Sequence, residues 1–329
     1  METRLPDGPA GSAADDPRPT DRGEPPLALS LPGVVEFNAT RWGLRSEVIE
    51  VGSSGSSSLT ATVYAGRRGR LVQPPNTPYT PIEFVAPEGS KARRRAALWL
   101  ELADQLAEGM RSRGVAGLLP LHPTIVDVRP WQWRGFEAQL RYTFILRFPL
   151  RLDEQGRIIR RRIRQAQDLG VTCRSETDND PILACLRATE QRQGFAYGLS
   201  EQDLALARGL IGDDHLLMYT AALPNGDVLS ARIVLHRPGA LALDWVAGTT
   251  EPGLASGASK FLLQHVLTDL EARGSAGLDF CGANIRSVAN EKSEWGGTLV
   301  PYPTVSLFGA RSVAVSAKRW WIATRPRPR

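Results

Sequence analysis

The 329-residue chain predicts a mixed α/β fold, an α+β mixed sheet built in two comparable halves. Three observations carry this. Amphipathic stretches with helical spacing alternate with short β-rich runs. Asn225-Gly226 joins two of those runs with the strongest short hairpin signal. A helix, strand, helices, meander, helix, strand order in the second half repeats a shorter, similar series in the first.

Residues 1–32 come first, rich in Pro, Gly, Asp and Ala and poor in large apolar side chains, and are expected to be a disordered tail. Order is expected from Gly33, with a short segment at 37–42. Strand-like stretches at 45–51 and 59–65 flank the turn sequence GSSGSSS, and a third at 69–73 runs into the extended loop PPNTPYTP. Ser90 to Arg113 carries apolar residues at 97, 98, 100, 102, 103, 106 and 110, which predicts an amphipathic helix ended by Gly114. A strand with proline loops at 117–128, a short helix at 131–136 and a strand at 141–150 complete the first half.

The second half opens with a basic helix at 158–169 and a strand at 170–174. Helices at 181–193 and 201–210 follow by period. Strands at 215–223, 228–236 and 240–248 form a meander through the Pro224–Asp227 turn. Ser256 to Arg273 is a helix with Leu262, Leu263, Val266, Leu267 and Leu270 on one face, and 278–281 is a short buried strand. The expected division is a tail (1–32), two folded halves (33–150 and 151–310), and a basic C-terminal tail or helix (311–329).

Hydrophobic residues make up 42% of the chain and charged residues 23%, so it can bury ordinary cores without disulfides or metals. Cys173, Cys185 and Cys281 are odd in number and lack a CxxC pairing, which predicts buried free thiols. His122, His215, His236 and His265 show no metal-ligand spacing, and no metal is expected. The first thirty residues lack the apolar core of a signal peptide, and runs such as 117–121 are far short of a membrane span, so a cytoplasmic chain is expected. The net charge is +5, and a moderately basic enzyme suits anionic substrates: nucleotides, coenzyme A, lipid-linked sugars or tRNA.

Four blocks in order carry a family resemblance: Arg141-Tyr-Thr-Phe-Ile-Leu, then Arg160-Arg-Arg-Ile-Arg-Gln-Ala-Gln-Asp-Leu-Gly-Val171, then Leu278-Asp-Phe-Cys-Gly282 after Ser259-Lys-Phe-Leu-Leu, then Asn290-Glu-Lys-Ser-Glu-Trp-Gly-Gly297. Over residues 35 to 305 the sequence resembles the FemAB-type transferases of the GNAT superfamily. Gln165 stands where a lysine is usual, and Glu291 replaces the first aromatic of the last block, while Trp295 keeps the second. The resemblance implies two tandem GNAT-like acyltransferase domains and transfer of an acyl group to an amine. Family members include enzymes that add amino acids from aminoacyl-tRNA to peptidoglycan precursors. Acyl-CoA is the candidate donor and aminoacyl-tRNA the alternative. A non-catalytic GNAT-fold binding module is the reading from another class. The acceptor is expected to be a small-molecule or peptidyl amine, with peripheral contact to a lipid-linked precursor and no integral membrane association.

Acyl transfer to an amine needs a neutral amine, a carbonyl within attack distance and a stabilised oxyanion. Lys292, just before Trp-Gly-Gly, can serve a donor phosphate or the oxyanion, or be a solvated loop lysine. Asp279, in a buried strand, can orient the amine or act as base, or pair with nearby N–H groups or an arginine. Thr250, Gly253 and Ala255 fall where GNAT enzymes hold the coenzyme A pyrophosphate on backbone N–H groups at a helix N-terminus. Glu251 adds a negative charge there, and a simple loop-and-cap role is the competing one. Trp295 joins the donor side by the resemblance. Arg161 and Arg164, with Arg157 and Arg160, share one helical face that can steer a phosphorylated donor or simply be solvated. Tyr79, Glu83 and Arg41 (beside Trp42) are the acceptor-side candidates. Trp320-Trp321, amid Lys318, Arg319 and Arg325, suit either an envelope lipid or a docked terminal helix.

Overall fold

The computed structural model describes residues 27–53 and 57–307. The expected tail up to residue 26 and the basic terminus with Trp320-Trp321 lie outside the described residues. Residues 27–32, expected as tail, are ordered: a 3₁₀ turn at Ala28–Ser30 buries Ala28 and Leu29 in the core. The run Leu-Ala-Leu-Ser-Leu there supplies the apolar area that the preceding residues lack.

The elements then run α1 (Pro32–Trp42), β1 (Arg45–Ser53), β2 (Ser57–Ala65), β3 (Leu71–Val72), β4 (Ile82–Val85), α2 (Ala92–Arg113), β5 (Leu119–Pro120), α3 (Arg129–Trp133) and β6 (Phe136–Arg147). The second half gives α4 (Arg157–Asp168), β7 (Thr172–Ser175), α5 (Asn179–Gln193), α6 (Glu201–Ile211), β8 (Leu216–Ala222), β9 (Val228–Leu235) and β10 (Leu241–Thr249). It closes with α7 (Glu251–Ser256), α8 (Ala258–Ala272), β11 (Gly277–Asp279), α9 (Arg286–Ser293) and β12 (Thr298–Leu307).

Local chemistry explains most boundaries. Pro32 starts α1, where its missing N–H costs nothing. Ser200 and Asp203 close a capping box on α6. Asp178 accepts from Asp180 N at the start of α5. The Asn-Gly turn joins β8 and β9 as expected, with Leu223 N donating to Asp227 O at 3.0 Å. The expected strand at 69–73 shrinks to two residues and that at 117–128 to two; in the second, Pro120 and Pro123 have no N–H to pair.

Two sheets form. In the smaller, β2 is central and pairs β1, β3 and β4. The larger has eight strands in the order β5-β12-β6-β11-β10-β9-β8-β7. It is antiparallel except where β10 meets β11. One sheet thus runs across both halves. β6, from the first half, pairs β12 on one edge, from Phe136 opposite Leu307 to Ile145 opposite Thr298. On its other edge it pairs β11, where Ile145 lies opposite Asp279.

Because side chains alternate along a strand, each strand of this sheet feeds two cores. Leu217, Tyr219 and Ala221 face α4 and α8, whereas Leu216 and Met218 face α1, α5 and α6. A third core lies between α2, α3 and the smaller sheet, and includes Phe136 and Val305. The expected apolar face of α8 is buried, each side chain contributing about 1.5–3 kcal/mol relative to exposure.

Candidate active site

β10 and β11 pair for three residues only, Leu241–Leu243 against Gly277–Asp279. Beyond that point the parallel strands part. β10 shifts register between Asp244 and Val246, and β11 turns away through residues 280–282. Charged side chains collect where the strands separate, although both strands are otherwise apolar.

Asp279 ends β11 and is 0% exposed. Its Oδ1 accepts from Thr143 Oγ1 at 2.6 Å, Cys281 N at 2.7 Å and Tyr79 OH at 3.3 Å. Its Oδ2 is buried without a partner. Burial holds the carboxyl above its ordinary range, against the pull of these hydrogen bonds. Tyr79, from the proline-rich loop, is equally buried and meets His122 and Tyr302 edge-to-face at 5.4 and 5.0 Å. Burial pushes the Tyr79 hydroxyl up and the His122 imidazole down to about 3, so both are neutral near pH 7.

Lys292, near the end of α9, donates to Phe280 O and Gly282 O, each at 2.6 Å. Burial lowers its pKa, opposed by the nearby Asp244 carboxylate. The chain has four lysines, Lys91, Lys260, Lys292 and Lys318; Lys260 pairs with Glu291, which precedes Lys292 in the chain. Asp244 in turn pairs with Arg232 of β9, both side chains nearly enclosed, and Asp244 Oδ1 has no partner. Neither Arg232 nor Asp244 belongs to the blocks that carry the family resemblance. A signal for them is nonetheless present in the sequence, since each is a charge inside an apolar strand run, Leu-Ser-Ala-Arg-Ile-Val-Leu and Leu-Ala-Leu-Asp-Trp-Val.

The other expected residues sit around this centre. Thr250, Gly253 and Ala255 fall on or beside α7, a short helix where an open loop was expected. Pro252 sits in its first turn, and the Thr250 hydroxyl accepts from Gly253 N at 3.2 Å. Gly253 passes close to β9, where an added Cβ would lie 2.2 Å from Leu229 O. Ala255 O accepts from Arg162 Nη1 and Gln165 Nε2 at 3.0 Å, so Gln165 supplies a donor where the family has lysine. Arg157, Arg160, Arg161 and Arg164 are exposed on α4, with no ion pair among the described residues.

Trp295 is buried in the α4–α8 core and forms one wall of a cavity with Arg147, Phe148, Arg151, Glu154 and Thr298. Glu83 accepts from Leu27 N at 3.0 Å, which ties the backbone at Leu27 to β4. Arg41 pairs with Asp203, donates to Gly198 O at 2.7 Å, and stacks over Trp42. The structure therefore brings Tyr79, Asp279 and Lys292 into one neighbourhood, while Glu83 and Arg41 hold other parts of the fold. Among the described residues there is no group of three or more His, Cys, Asp or Glu suited to a metal, and no helix is long and apolar enough to cross a membrane.

Residues 154–292 match the family model described as an acetyltransferase (GNAT) domain. Residues 154–292 thus carry a GNAT-type acyltransferase domain, within a mixed α/β fold. Among solved structures it is similar to FemX, at 12% identity and a TM-score of 0.62, covering 91% of this chain and 96% of that one. It is also similar to the C-terminal domain of a protein assigned as a lysylphosphatidylglycerol synthetase from Agrobacterium fabrum, at 12% identity and a TM-score of 0.55, covering 88% and 92%. L-PGS from Bacillus licheniformis gives 12% identity and a TM-score of 0.52, covering 91% and 98%. No curated protein sequence matches the chain.

Proposed function

We propose that the protein is an N-acyltransferase that moves an acyl group from an activated donor to an amine on a sugar, peptide or small metabolite. The observation that supports this most is the enclosed charged cluster where β10 and β11 part: the Lys292 ammonium on two carbonyls, beside an Asp244 carboxylate with one oxygen free. In the proposed step the amine nitrogen attacks the donor carbonyl carbon. Asp244 Oδ1 takes the amine proton, Lys292 stabilises the oxyanion, and the bond to the leaving sulfur or oxygen breaks as that group takes a proton from Lys292 or solvent. Burial pushes the Cys281 thiol well up, which disfavours a thiolate nucleophile and supports direct attack.

Acyl-CoA is the first donor considered and aminoacyl-tRNA the second. A specific observation favours the second: the Thr250 hydroxyl already occupies Gly253 N, in the segment where coenzyme A phosphates would be expected, while four arginines of α4 stand exposed. The lysylphosphatidylglycerol synthetase likeness suggests, by its name, an acceptor at a lipid surface. In the proposed reading the chain is a cytoplasmic protein of two lobes that divide near residue 150. Thermal unfolding with and without acetyl-CoA or coenzyme A separates the donors. A ligand at about 100 times its Kd adds roughly 2.7 kcal/mol, a shift of several degrees. A shift with either supports acyl-CoA; no shift, with binding of aminoacyl-tRNA, supports the second donor.

A further inference from the structure

Lys292 is held by a turn of backbone, and that turn is held by Thr143, a residue of the first block that carries the family resemblance. Residues 280–282 follow β11 with Cys281 at φ 55°, a left-handed conformation that a residue with a Cβ keeps only where its surroundings impose it. Two carbonyls of this turn, Phe280 O and Gly282 O, are the acceptors for Lys292 Nζ. The same turn's N–H groups point the other way. Cys281 N donates to Asp279 Oδ1 at 2.7 Å, and Gly282 N donates to Thr143 Oγ1 at 2.9 Å.

Thr143, on β6, is 0% exposed and uses its hydroxyl twice. It accepts from Gly282 N and spends its single proton on Asp279 Oδ1 at 2.6 Å. Tyr79 adds a third donor to the same oxygen. We infer that Thr143, backed by Asp279 and Tyr79, is a positioning residue that fixes the 280–282 turn and thereby sets where the Lys292 ammonium sits. Its importance for turnover rests on the proposed role of Lys292; the positioning itself does not. Groups facing Lys292 are Asp244 of β10, Arg232 of β9, Asp279 of β11 and Cys281 of the turn, with Lys260 and Glu291 pairing beside it.

The test is the pH profile of lysine labelling by acetic anhydride, read by mass spectrometry, which four lysines make clean. In the wild type the Lys292 midpoint is expected below the ordinary value of 10.5. Thr143→Val is expected to move that midpoint upward and raise the limiting labelling rate roughly ten-fold, as expected for loss of a hydrogen bond in a charged network. Lys91 is expected to be unchanged, and Thr143→Ser to behave as wild type. A Thr143→Val protein that unfolds cooperatively and labels Lys292 as wild type overturns the inference. If Thr143→Val does not fold, Tyr79→Phe must shift Lys292 in the same direction, and an unchanged profile there overturns it equally. Lys292→Met with full transfer activity would instead defeat the proposed function while leaving the labelling result intact.

Discussion

Tyr79 and Asp279 stand 200 residues apart in the chain and meet in a hydrogen bond of 3.3 Å. A loop of the first half and a strand of the second thus share one buried polar centre, next to the turn that carries Lys292. The centre is costly to disturb, because every group in it has been removed from water.

Asp279 should reveal itself in the pH dependence of stability. Burial raises its carboxyl pKa above 3.8. A raised acid gives stability that is full below the unfolded-state value and is lost as pH rises through the native one. The Tm of Asp279→Asn, relative to wild type, is therefore expected to climb as pH rises from about 4 towards neutrality. Asp279→Ala leaves three donors without their acceptor and is expected to cost about 3 kcal/mol or more.

Gly257 links α7 to α8 at φ 81°, and an added Cβ would lie 2.2 Å from Arg162 O of α4. Gly257→Ala is expected to push the helices apart and cost about 1–3 kcal/mol, seen as a Tm lower by several degrees.

The exposed arginines of α4 test the donor. If a nucleic acid binds there, each of Arg157→Ala, Arg160→Ala, Arg161→Ala and Arg164→Ala should reduce the salt slope of aminoacyl-tRNA binding by about 1. Unchanged slopes assign these arginines to solvent.

Much of the fold was legible in the sequence. The meander announced itself through Asn225-Gly226, and α2 and α8 through their apolar spacing. β12 was not legible, because Pro301 and Pro303 argue against a strand. The structure shows why they are tolerated: Leu121 N donates to Pro303 O, so the N and O of Pro303 point away from β6, and Pro301, two residues earlier, shares that side. Lys292 and Asp279 could be named from the family blocks. Thr143 lies in the first of those blocks, but its role was not legible there, since a threonine in a β-rich run is ordinary and its double hydrogen bond exists only once distant segments meet. Arg232 and Asp244 were readable as charges within apolar strands, but their pairing depends on sheet register.

The most direct test is the amine-dependent consumption of whichever donor binds, compared between wild type and Lys292→Met with matched Tm. Loss of one oxyanion donor is expected to lower kcat by roughly 10²–10³-fold. A Lys292→Met protein that turns over the donor at the wild-type rate would contradict the assignment of this cluster as the catalytic site.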